Sequence, residues 1–120
     1  MNIRIATGLL VLAFFEPALA QETSVDFSWD GVPPCKTLSQ SPRFTIRNFP
    51  KDAKTVMLQL TQGNRARGGQ EVELPSSGQI PAGAATTMGP CNPDMYRWTA
   101  IFKAPNGQVV GQASAERRFP

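Results

Sequence analysis

The stretch Tyr96-Arg97-Trp98-Thr99-Ala100-Ile101-Phe102-Lys103, YRWTAIFK, decides the fold. Tyr96, Trp98, Ala100 and Phe102 alternate with Arg97, Thr99, Ile101 and Lys103. A period of two places the first set on one face, so the stretch predicts a half-buried strand. It leaves a stiff turn, Met88-Gly89-Pro90-Cys91-Asn92-Pro93, and runs toward Pro105-Asn106-Gly107. Asn-Gly accepts the positive φ that tight hairpins need, so a second strand is expected over Val109–Phe119. That segment also has helical features in Ala113, Ala115 and its charges. The hairpin partner and Gly111 favour the strand.

The same period recurs upstream. Val25, Phe27 and Trp29 form one alternating set, Phe44 and Ile46 a second, and Val56, Leu58 and Leu60 a third. Glu71–Leu74 and Ala84–Met88 are shorter strand candidates, and Asn64–Gln70, NRARGGQ, reads as a polar glycine-rich loop. Gly31-Val32-Pro33-Pro34 and Phe49-Pro50-Lys51-Asp52-Ala53 punctuate the strands. No helix signature is strong. Short strands separated by Gly/Pro turns predict an all-β antiparallel sandwich or barrel.

The first 20 residues read as a targeting segment. Arg4 is the basic flank, Gly8–Phe15 an apolar run too short to span a bilayer, and Ala18-Leu19-Ala20 a small-x-small cleavage site. The expectation is a signal peptide over 1–20, a single domain over 21–120, and a periplasmic or secreted location. No second segment is long enough to cross a membrane. Two cysteines, Cys35 and Cys91, in an exported chain predict one disulfide, and no C-x-x-C spacing supports a reactive thiol pair. Closing so long a loop is worth roughly 4 kcal/mol by chain entropy.

Chemistry is limited by what is missing. The chain has no histidine, which removes the commonest general base and most zinc sites. Glu71 and Glu73 share a face of one short strand and read as solvated. The net charge of +3 comes from scattered residues with no basic stripe, so nucleic acid is not an expected partner. No enzyme, metal site or cofactor is expected. Arg65 and Arg67 read as a small basic tip.

Ser41-Pro-Arg-Phe-Thr-Ile-Arg-Asn-Phe-Pro50, Ala53–Leu60, Ile80-Pro-Ala-Gly83, Gly89-Pro-Cys-Asn-Pro93 with Tyr96-Arg-Trp98, and the terminal Phe119-Pro120 occur in order. Together they resemble the phosphatidylethanolamine-binding protein (PEBP) family, in its small exported bacterial branch. The resemblance implies an antiparallel β-sandwich with a shallow anion site near one end. In that family the site is lined by an Asp-x-Asp-x-Pro segment and two histidines. Here those positions fall on Gln62, Asn64, Arg67 and Asp94, and only Gly89, Pro90 and Tyr96 match. The resemblance therefore implies a non-enzymatic binding module with an altered or degenerate site for a phospholipid headgroup or small anion. The site is filled if Arg67 and Asp94 pair, and open to anions if Arg67 stands free. The alternative is a protein-interaction module that uses the Asn64–Gln70 loop or a sheet edge.

Overall fold

The computed structural model describes residues 22–120, which are strand, turn and loop with no helix. The expected signal peptide and its cleavage point lie outside the described residues. The strands are β1 (Ser24–Phe27), β2 (Ser39–Gln40), β3 (Phe44–Arg47), β4 (Thr55–Gln62), β5 (Arg65–Glu73), β6 (Gln79–Ile80), β7 (Thr86–Thr87), β8 (Asp94–Lys103) and β9 (Val109–Phe119). They form a four-stranded sheet ordered β5-β4-β8-β9, a three-stranded sheet ordered β1-β3-β6, and a β2-β7 pair. Every ladder is antiparallel.

β8 is the spine. Its inward residues Tyr96, Trp98, Ala100 and Phe102 are fully buried. Trp98 lies opposite Leu60 on β4 and Ala115 on β9, Ala100 opposite Leu58 and Ala113, and Phe102 opposite Val56 and Gly111. Large residues thus meet in the centre of the sheet, while small ones line the inner side of β9. Val25, Phe27, Phe44, Ile46 and Ile80 of the three-stranded sheet join the same core. Phe44 meets Trp98 edge to face at 5.1 Å, and Trp29 meets Tyr96 at 6.0 Å and Phe119 at 5.5 Å in the same manner. Each such side chain contributes about 1.5–3 kcal/mol by burial, and edge-to-face rings add to that. Trp29 reaches the core from just beyond the end of β1, its indole N–H donating to the Arg117 carbonyl at 3.2 Å.

Cys35 and Cys91 form the expected disulfide across a sequence separation of 56. Val109–Phe119 is a strand along its whole length. The hairpin before it closes with Ala104 N–H on the Gln108 carbonyl and Gly107 N–H on the Ala104 carbonyl.

Asn64–Gln70 is not a loop. The turn is confined to Gly63-Asn64, and Arg65–Glu73 is a nine-residue strand. Its own side chains do not call for a strand, since most are exposed. Pairing along β4 imposes it. A Cβ at Gly69 would stand 2.8 Å from the Leu58 carbonyl oxygen, so the glycine that looks like a loop residue is what lets the two strands close. Between Gln59↔Gly69 and Thr61↔Ala66 the register slips, leaving Arg67 and Gly68 both opposite Leu60 as a β-bulge.

Candidate functional site

The bulge re-aims Arg67. Its guanidinium lies over the Tyr96 ring, 5.6 Å from the centroid. The Nε–H donates to the Met88 carbonyl at 3.2 Å and Nη1 to Gln62 Oε1 at 3.1 Å. Nη2 donates to the Gly89 carbonyl. In return, Met88 N–H donates to the Arg67 carbonyl at 2.8 Å. Gln62, at the end of β4, passes the network on: its Nε2 donates to Asp94 Oδ2 at 2.8 Å. Asp94 Oδ1 accepts Met95 N–H at 2.7 Å. The Gln62 hydrogen bond first and then the Met95 N–H hold the Asp94 carboxyl below its usual range against an opposing desolvation, with the charge of Arg118 contributing least.

The turn that supplies those carbonyls is fixed from the other side. Cys35 N–H donates to the Pro90 carbonyl at 2.8 Å and Gly89 N–H to the Lys36 carbonyl at 3.1 Å, next to the disulfide. The Tyr96 hydroxyl donates to the Asn92 carbonyl at 2.9 Å and accepts Cys91 N–H at 3.2 Å. Gly89 is required by close approach: a Cβ there would lie 2.5 Å from the Cβ of buried Ser39.

The fold therefore brings Gln62, Arg67, Gly89, Asp94 and Tyr96 together, with Pro90 buried behind them. Asn64 stays apart, exposed at the β4–β5 turn with no side-chain hydrogen bond among the described residues. Arg67 and Asp94 form no direct ion pair; Gln62 stands between them, accepting from one and donating to the other. Nor do Arg65 and Arg67 make a basic tip, because Arg65 is exposed while Arg67 folds back over Tyr96. Sequence reasoning missed the two carbonyl acceptors, Met88 and Gly89, since backbone groups carry no residue-type signal.

Chemically, each guanidinium nitrogen already has a protein acceptor. Three of its five N–H donors are taken, one on each nitrogen, and an anion arriving for the other two meets two carbonyl oxygens beside them. Among the described residues, no group of three or more Cys, Asp or Glu is placed to hold a metal. No described helix is long and apolar enough to cross a membrane.

A concavity lies elsewhere, outside β1 and β3. It is a groove of about 730 Å³ whose lining includes Asp26, Asp30, Lys36, Leu38, Gln40 and Arg43. Leu38 is 78% exposed. Strand alternation does not signal it, because its lining comes from loop residues and the outward side of two strands. Comparison with family models, curated proteins and solved structures finds no match to this chain.

Proposed function

We propose that this chain is an exported, non-enzymatic binding module with a PEBP-like sandwich, whose headgroup site has degenerated into a structural clasp. The single observation that carries this reading is the state of Arg67. All three guanidinium nitrogens donate within the protein, and the cation rests on Tyr96. A site built to hold phosphate keeps such a fork open for bidentate contact. Binding is then to protein rather than to a phospholipid headgroup. The groove lined by exposed Leu38 and by charged residues of both signs favours that second step.

The test is a backbone NMR titration of the oxidised protein with phosphate and with phosphoethanolamine. The expected result is no change at Gln62, Arg67, Gly89 or Tyr96 beyond that caused by sodium chloride at equal ionic strength. Saturable shifts converging on those residues would restore a working anion site and overturn the clasp.

A further inference from the structure

The groove outside β1 and β3 has a backbone edge in its lining. Ser39 lies opposite Thr87 in the β2–β7 ladder, and Ser41 N–H donates to the Ala85 carbonyl just beyond it. The backbone groups of Ser39 and Ser41 therefore point to the β7 side. Backbone groups alternate in direction along a strand, so those of Gln40 point the other way. The partner strand shows the same phase. Thr86 lies opposite Gln40, and its N–H turns from β2 and donates to Gln70 Oε1 at 3.2 Å. β2 pairs with β7 alone, and Leu38 and Gln40 both line the groove, so open space adjoins this edge. Among the described residues, the Leu38 N–H and carbonyl have no hydrogen-bond partner.

The charges of the groove are unevenly spent. Asp26 is paired with Arg117 at 2.8 Å, and its Oδ1 also accepts Phe27 N–H. Lys36 and Arg43 also line the groove and flank the edge in sequence, and neither enters an ion pair among the described residues. Against them stands one unpaired acid of the lining, Asp30. The free charges are therefore mainly positive. Leu38 falls between the two cations in sequence and is 78% exposed.

We propose that this edge takes an extended acidic peptide segment of a protein partner, added as a third strand beside β2. The proposal names a partner class for the protein-binding reading above and rests on it. A peptide backbone supplies N–H and carbonyl groups that match those of Leu38 and Gln40, which neither a lipid headgroup nor free phosphate does. The free charges select the segment. It carries an apolar side chain for Leu38, with carboxylates on either side for Lys36 and Arg43. A carboxylate can take the Arg43 fork through two hydrogen bonds, whereas a basic segment would meet two like charges. The groove, about 730 Å³, is within the size range of ligand clefts. With few backbone hydrogen bonds and exposed charges, the affinity is weak, with Kd about 100 µM.

The probe is a capped nonapeptide with leucine at its centre and glutamates on both sides, titrated into oxidised, isotopically labelled protein. Saturable NMR shifts are expected over Lys36–Arg43, with slower exchange of the Leu38 and Gln40 N–H groups at saturation. Lys36→Glu combined with Arg43→Glu should weaken binding about tenfold, and a peptide with lysines for the glutamates should then bind that variant about tenfold better than it binds the wild type. Leu38→Ser alters a side chain that is mostly exposed, so the fold is kept, and binding should fall about fivefold. No saturable shift at about 1 mM peptide would overturn the proposal, as would equal binding of the lysine peptide to the wild type. Shifts without slower exchange at Leu38 and Gln40 would mean charge attraction with no added strand. The same shifts on concentrating the protein alone would make a second copy the occupant; either result overturns the proposal. The clasp reading fails by a different sign, phosphate-dependent shifts at Gln62, Arg67, Gly89 and Tyr96.

Discussion

β5 and β9 hold equivalent places, one at each edge of the four-stranded sheet, yet they are finished in opposite ways. β5 is the poorer strand by composition, glycine-rich and largely exposed, and it is tied down. Met88 donates to its backbone, Arg67 grips the turn before β8, and the Gln70 side chain accepts from Thr86. β9 is longer and packs small residues on the core, and on its outer side it has no hydrogen-bonded strand, only β1 packed beside it through Asp26 and Arg117. The difference teaches that an edge can be closed by a side chain reaching across a loop, and that such a side chain resembles a ligand site when read from sequence.

The largest way to break this contrast is to remove the lock beneath the turn. Replacing both cysteines by serine (Cys35→Ser with Cys91→Ser) should lower stability by about 4 kcal/mol at most, measured by urea unfolding. A loss under about 1 kcal/mol would mean the turn holds without the disulfide. Gly89→Ala comes next. Its new Cβ must displace Ser39, and the expected cost is about 1–3 kcal/mol with Met88 N–H losing protection from exchange. Full stability in that variant would show that the turn is not closely seated on Ser39.

Arg67→Lys sharpens the comparison between the edges. An ammonium cannot reproduce a planar fork directed at Met88, Gly89 and Gln62 together, and a loss of about 1–2 kcal/mol is expected. Exchange should quicken at Met88 and stay unchanged at Gln112 and Ser114. Equal effects at both edges would contradict local closure. The smallest effect concerns Asp94. Its carboxyl titrates below the usual carboxylate range, so its contribution is complete above that range and is lost as the pH falls through the lowered value. Asp94→Asn should remove that increment, so the variant is slightly less stable than the wild type at neutral pH and the difference vanishes in acid, as comparison of unfolding curves across that range would show.

Much of the core was legible in the sequence. The inward sets Val25/Phe27/Trp29, Phe44/Ile46, Val56/Leu58/Leu60 and Tyr96/Trp98/Ala100/Phe102 are buried as their alternation predicts. The disulfide followed from two cysteines in a chain read as exported. β5 was not legible, because its conformation is imposed by β4 and its glycines serve close approach rather than flexibility. β2, β6 and β7 are two residues each, too short to show any period. The residues around Arg67 were singled out only through the family resemblance. Their wiring was out of reach, since a bulge turned Arg67 inward and its main acceptors are backbone carbonyls. The outward groove escaped altogether, as alternation reports the buried face and is silent about the other.

The most direct test of the clasp is the Arg67 Nε–H resonance in a nitrogen-correlated NMR spectrum, followed through a phosphate titration. The account predicts a separate, slowly exchanging signal, lost in Arg67→Lys and unmoved by phosphate up to about 10 mM beyond a salt control. A signal averaged with the other arginines, or one that shifts saturably with phosphate, would mean that the guanidinium is available to anions and that the site is open.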